Sequence, residues 1–180
     1  MGGVAANEEI TAHLLIRSER KADRAAVRAI NTEAFEGPAE AGLVDALREQ
    51  AKPVVSLVAE HDEGIVGHIM FSPVMLVREP GLNIMGLAPM AVVSTHQRQG
   101  IGSALVRAGL EECARLDFGA VVVLGHPAYY ARFGFVPSTR WNIRCEYEAP
   151  PEAFMAIELE AGYLDGKAGT IRYHPAFADV

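Results

Sequence analysis

Apolar and polar positions along this chain switch between a period of two and a period near 3.6, and the switches mark out its elements. "HLLIRS" (13–18) is a short apolar run with polar ends and reads as a first strand. "KADRAAVRAINTEAF" (21–35) then takes helical spacing, with Ala26, Val27, Ile30 and Ala34 on one stripe and Asp23 near its start. Gly37 and Pro38 break that helix, and "AEAGLVDALREQ" (39–50) restarts one with Leu43, Ala46 and Leu47 on one face. "VVSLVAEH", "DEG" and "IVGHIMFSPVML" read as two strands joined by a tight turn ending at Gly64. "IMGLAPMAVV" (84–93) is a further strand. Its Pro89 cannot donate to a ladder and marks a bulge or an unpaired position.

From Gly100 to about Leu116 the period is helical again, and Ile101, Leu105, Gly109, Cys113 and Leu116 form the apolar stripe. "GAVVVLG" (119–125) is a short buried strand, and "PAYYARF" (127–133) is about two turns of helix opened by proline and ended by "GF". Beyond Trp141, "WNIRCEY", "FMAIEL" and "TIRYH" are strand-like pieces between Pro and Gly clusters. The order of elements predicts a mixed α/β single domain.

Length and composition bound what this pattern builds. The chain has 180 residues, of which 50% are hydrophobic, enough for one sizeable core. We take the domain as residues 12–180, with a core over about 12–137, a C-terminal extension over 138–180 and a flexible N-terminus over 1–11. The net charge of −7 argues against a non-specific nucleic-acid binder, which needs a basic excess. The two cysteines, Cys113 and Cys145, form no CxxC pattern or disulfide framework, so the expected compartment is the cytoplasm. No apolar run approaches a membrane span, and no secretory leader is read at the N-terminus. The six histidines show no HxxxH or HxH spacing, so no metal is expected. Cys113 lies on the apolar stripe and reads as core packing rather than as a nucleophile.

Two stretches carry chemistry. In "QRQGIG" (97–102), a polar run reaches two glycines just before a helix. A helix N-terminus offers unpaired N–H groups and partial positive charge to an anion, and glycine lets a ligand approach the backbone. A dinucleotide fingerprint would need glycine where Leu105 stands, and a P-loop would need a Lys-Ser/Thr pair that is absent, so both are excluded. In "HPAYYARFGF" (126–135), two adjacent tyrosines point about 100° apart on a short helix. A phenol there serves either as a general acid or as aromatic packing.

Taken in order, the strand, Q-x-x-G-x-G, helix, valine-rich strand, and Tyr four residues before Gly-Phe resemble the GNAT superfamily of acyl-CoA-dependent N-acetyltransferases. Gln97, Gly100 and Gly102 match its central motif, and Tyr130, Gly134 and Phe135 match its later one. The resemblance covers roughly residues 12–137 and is similar in detail to a bacterial subgroup of acetyltransferases. It implies a mixed, mostly antiparallel central sheet flanked by helices. It implies acetyl-CoA as cofactor, with its pantetheine arm on the main chain of Met90, Ala91 and Val92. The pyrophosphate would rest on N–H groups across Arg98, Gln99, Gly100, Ile101, Gly102 and Ser103, with Gln97 and Arg98 adding side-chain donors. Tyr130 would protonate the departing thiolate or hold it by a hydrogen bond, and an N–H near Val92 would face the oxyanion.

The base that deprotonates the amine is open among Glu33, His126 and Glu40, with His96 a further titratable group beside the motif. Relatives often carry an acidic residue where His126 stands, so its role is not carried over. The expected activity is transfer of an acetyl group to a primary amine, small or at a peptide N-terminus, by direct attack in a ternary complex. The alternative is a CoA-binding or protein-interaction module of the same fold without turnover. Residues 138–180 are expected either to add strands beside the acceptor cleft or to form a homodimer contact.

Overall fold

A computed structural model describes residues 13–62 and 64–180. The expectation for residues 1–11 lies outside the described residues. Strand β1 (Leu15–Ser18) leads through a single 3-10 turn into helix α1 (Arg24–Ala34), and α2 (Ala39–Gln50) follows the Gly37–Pro38 break. The antiparallel strands β2 (Val55–His61), β3 (Gly64–Leu76) and β4 (Ile84–Val92) come next, then α3 (Ile101–Arg115), β5 (Ala120–Leu124) and the short α4 (Pro127–Tyr130). The remaining strands are β6 (Val136–Pro137), β7 (Ile143–Cys145), β8 (Phe154–Glu158) and β9 (Gly169–Arg172).

The main sheet runs in the order β1, β2, β3, β4, β5, β8, β6. Its pairs are antiparallel except β4 with β5. Strand β9 pairs with the far end of β3 and, in parallel, with β7. The C-terminal strands therefore divide: β8 extends the main sheet beside β5, while β7 and β9 form a small flap off β3. Two apolar cores lie on the two faces. One gathers α1 and α2 residues such as Val27, Leu43 and Leu47 with Ile171 and Phe177. The other packs the α3 stripe of Ile101, Leu105 and Cys113 against Phe71, Val121 and Phe135.

The feature that shapes the site is a break in pairing. The β4–β5 ladder runs only from Ile84↔Ala120 to Leu87↔Val123, yet β4 continues to Val92 against β3. At the break the Ala88–Pro89 bond is cis, and the β3–β4 register slips between Ile69 and Phe71. Pro89 thus sits at a bulge, as a residue without an N–H must. Beyond it, β4 and β5 part and leave a wedge between them.

Candidate active site

Within the wedge, β4 presents an unpaired edge. Val93 N–H donates to Val66 O at 2.9 Å, and antiparallel pairing alternates from there. Ala91, opposite His68, turns its main chain to β3, whereas Met90 and Val92 turn theirs into the opening. The Val92 carbonyl accepts from Gln97 Nε2 at 3.1 Å. Gln97 therefore holds the end of β4 to the loop that follows, and the main-chain N–H groups of Met90 and Val92 face the wedge.

That loop delivers the chain to α3 through two left-handed residues, Arg98 at φ 60° and Gly100 at φ 85°. Gly100 is the N-cap and contributes no side chain, and the first helical bond runs from Ala104 N–H to Gly100 O at 3.0 Å. The N–H groups of Ile101, Gly102 and Ser103 precede that bond and have no partner within the helix, and Gly102 and Ser103 line the cleft. Gly102 has a steric reason: a Cβ there would stand 2.9 Å from the Tyr129 hydroxyl. Arg132 donates to Ser103 Oγ at 3.1 Å and lies 5.2 Å over the Tyr129 ring. Its cation hangs beside the helix N-terminus, a placement that the sequence reading missed.

A cleft of about 1050 Å³ follows these groups from Arg98, Gly100 and Ser103 along Met90–Val92 to Leu124, His126 and Tyr130. A second cavity, of about 500 Å³, opens on the other side of the wedge between α1, α2 and the C-terminal segment. The two share Met90, Leu124 and Tyr130 in their walls. An elongated anionic ligand in the first would meet a smaller molecule from the second at those three residues.

Tyr130 is 8% exposed, its ring against Gly125 and edge-on to Tyr129 at 5.1 Å. Burial, with a smaller contribution from Tyr129, pushes its phenol up to about 12, so it stays protonated at neutral pH. The three carboxylate or imidazole candidates occupy different places. Glu33 Oε1 accepts from Ser94 Oγ at 2.9 Å and from Ser94 N–H at 3.4 Å, and it lines neither cavity. His126 is exposed at the N-cap of α4, in the wall of the larger cleft. Glu40, in the first turn of α2, is in the wall of the smaller one. His96 also lines the larger cleft and accepts or donates a 2.9 Å contact with Thr95 Oγ1.

Cys113 is fully buried, and burial pushes its thiol up to about 12, which suits packing and not nucleophilic attack. Among the described residues, no three His, Cys, Asp or Glu side chains gather to hold a metal, and no helix is long and apolar enough to cross a membrane.

The sequence model of the Acetyltransferase (GNAT) family matches residues 24–135. The uncharacterized N-acetyltransferase YhbS of Escherichia coli K12 is 38% identical over 165 residues, covering 91% of this chain and 98% of that one. The crystal structure of Escherichia coli YhbS in complex with CoA superposes with a TM-score of 0.86 at 37% identity, covering 92% of both chains. A GNAT family acetyltransferase from Brucella melitensis in complex with acetyl-CoA gives a TM-score of 0.75 at 34% identity, over 92% of this chain and 98% of that one. With a family match over more than half its length and relatives this similar from end to end, the chain belongs to the GNAT family of acetyltransferases.

Proposed function

We propose that this protein transfers an acetyl group from acetyl-CoA to a primary amine by direct attack in a ternary complex. The observation that carries this reading is the meeting of two cavities at Met90, Leu124 and Tyr130, where the β4–β5 ladder has ended. The CoA and acetyl-CoA bound in the YhbS and Brucella structures support the choice of cofactor. The larger cleft takes the cofactor, with its pyrophosphate on the N–H groups that start α3 and its pantetheine along Met90 and Val92. Arg132 and Arg98 add positive charge beside those N–H groups.

The amine enters from the smaller cavity. Its ammonium form gives one proton to Glu40 or solvent, and the freed lone pair attacks the thioester carbonyl carbon. The oxyanion so formed faces the Val92 N–H. Collapse breaks the C–S bond as the C–N bond is completed, the nitrogen loses its second proton, and CoA leaves as a thiolate. Tyr130 donates a hydrogen bond to that sulfur while it takes up a proton, leaving CoA thiol and amide. Tyr130, which holds the leaving sulfur, and Glu40, which takes the ammonium proton, both line the smaller cavity.

Binding and turnover test this directly. Acetyl-CoA at about 100 times its dissociation constant should stabilise the protein by about 2.7 kcal/mol, read as a rise in Tm. A screen of amines with acetyl-CoA should release thiol only when an amine is present. Cofactor binding without any amine-dependent thiol release would leave a binding module and sink the transferase reading.

A further inference from the structure

We infer that the acceptor is a small primary monoamine with an aromatic or bulky apolar body and no carboxylate. This rests on the transferase reading above and deepens it. The smaller cavity has an aromatic wall made by the C-terminal segment: Tyr147 and Tyr173 rings lie 5.8 Å apart, and Tyr173 and Phe177 rings 5.0 Å apart. Phe35, 39% exposed at the end of α1, stands in the same wall and offers an apolar face to an incoming molecule. Among the lining side chains Glu40 is the one carboxylate, and there is no lysine, arginine or histidine. Burial raises the phenols of Tyr130, Tyr147 and Tyr173, so all three stay neutral.

This charge arrangement discriminates between amines. One ammonium group pairs with Glu40, and the aromatic faces favour its approach. A free amino acid would bring its carboxylate into an apolar wall that has one negative charge and no cation, which is costly. A polyamine would place its further ammonium groups against aromatic and aliphatic side chains with no second acidic side chain to meet them. An aromatic or branched apolar body instead fills the wall and leaves its surface out of water. A volume of about 500 Å³ matches a small molecule of that kind.

The test compares kcat/KM for four acceptors at saturating acetyl-CoA: 2-phenylethylamine, L-phenylalanine, spermidine and a short peptide amide with N-terminal phenylalanine. Phenylethylamine should exceed L-phenylalanine and spermidine by about 100-fold or more, and should exceed the peptide. Glu40→Gln should raise KM for phenylethylamine about tenfold and leave KM for acetyl-CoA within about twofold. Phe35→Arg, at a half-exposed position, should shift the ratio toward L-phenylalanine. Equal or better use of phenylalanine, spermidine or the peptide would overturn the inference while the transferase reading stands. Absence of any rise in Tm with acetyl-CoA would instead bring down the transferase reading itself. An unchanged acceptor ratio in both variants, each still stabilised by acetyl-CoA, would remove this cavity as the acceptor site.

Discussion

A phenol held near 12 by burial is a weaker acid than a thiol, whose ordinary value is about 8.5, so Tyr130 gains little by surrendering its proton outright. In the proposed reaction it acts better as a neutral hydrogen-bond donor to the sulfur as charge builds there. The folded phenol loses its proton only as pH rises toward 12, so the donor form persists across the working range. Tyr130→Phe keeps the ring against Gly125 and removes only the hydroxyl. It should lower kcat by about 10²-fold at every pH from 6 to 10, with Tm and KM for acetyl-CoA little changed. A profile that superposes on the parent enzyme, or that loses an alkaline limb below pH 10, would rule this role out. Tyr130, Gly100 and Gly102 were legible in the sequence because each is a special residue type at a fixed distance from a helix boundary. The acidic residues were not. Glu33 and Glu40 both lie near the break between two helices, and only the packing of α1 and α2 turns one to Ser94 and the other to the cavity.

Among the elements, α3 joins fold and site most directly. Its apolar stripe buries Ile101, Leu105 and Cys113 against the sheet, and this fixes where its N-terminal N–H groups point. Gly102 leaves those groups open. Gly102→Ala would bring a methyl group to the Tyr129 hydroxyl while gaining helix propensity of up to about 1 kcal/mol, so stability should change little. The dissociation constant for CoA, measured by calorimetry, should rise by about tenfold or more because the ring must shift into the cleft. Unaltered affinity would remove the phosphate from this helix start. Periodicity located this helix, and it located α2 at its observed bounds of Ala39–Gln50. It did not reveal that β8 pairs with β5, because a strand's partner is chosen by pairing across 30 residues of sequence or more and leaves no local trace. Nor did it reveal β6, whose two residues, Val136 and Pro137, are too few to show alternation.

Across the whole molecule, a buried polar chain sits directly behind the open edge of β4, since His68 on β3 is the residue opposite Ala91. Asn31 donates one N–H to Val27 O at 3.0 Å and lies 3.1 Å from His68 Nδ1, which fixes that nitrogen as an acceptor. The proton on Nε2 then points to Ser56 Oγ at 2.9 Å, and Ser56 donates to Glu19, which Arg48 pairs at 2.5 Å. The chain links α1, β3, β2, the β1–α1 connection and α2, and no sequence pattern disclosed it, because its members are spread from residue 19 to residue 68. His68 is fully buried, and burial, helped by the Arg48 charge, lowers it to about 3. The native state therefore keeps this imidazole neutral while the unfolded chain protonates it below about 6.5. Stability from this group is complete above that pH and is lost as pH falls from about 6.5 toward 3. Asp23, held at about 2 chiefly by its hydrogen bonds from Arg17, adds a further loss only below about 4. His68→Gln should cost about 1–3 kcal/mol at pH 7.5 through disturbed buried hydrogen bonds. It should also flatten the decline in unfolding free energy between pH 6.5 and 4.5, measured by urea titration, because glutamine binds no proton in either state. Equal slopes for the parent protein and the variant over that interval would mean that the acid sensitivity arises elsewhere. A flattened slope would assign it to the network that braces the strand on which acetyl-CoA is proposed to lie.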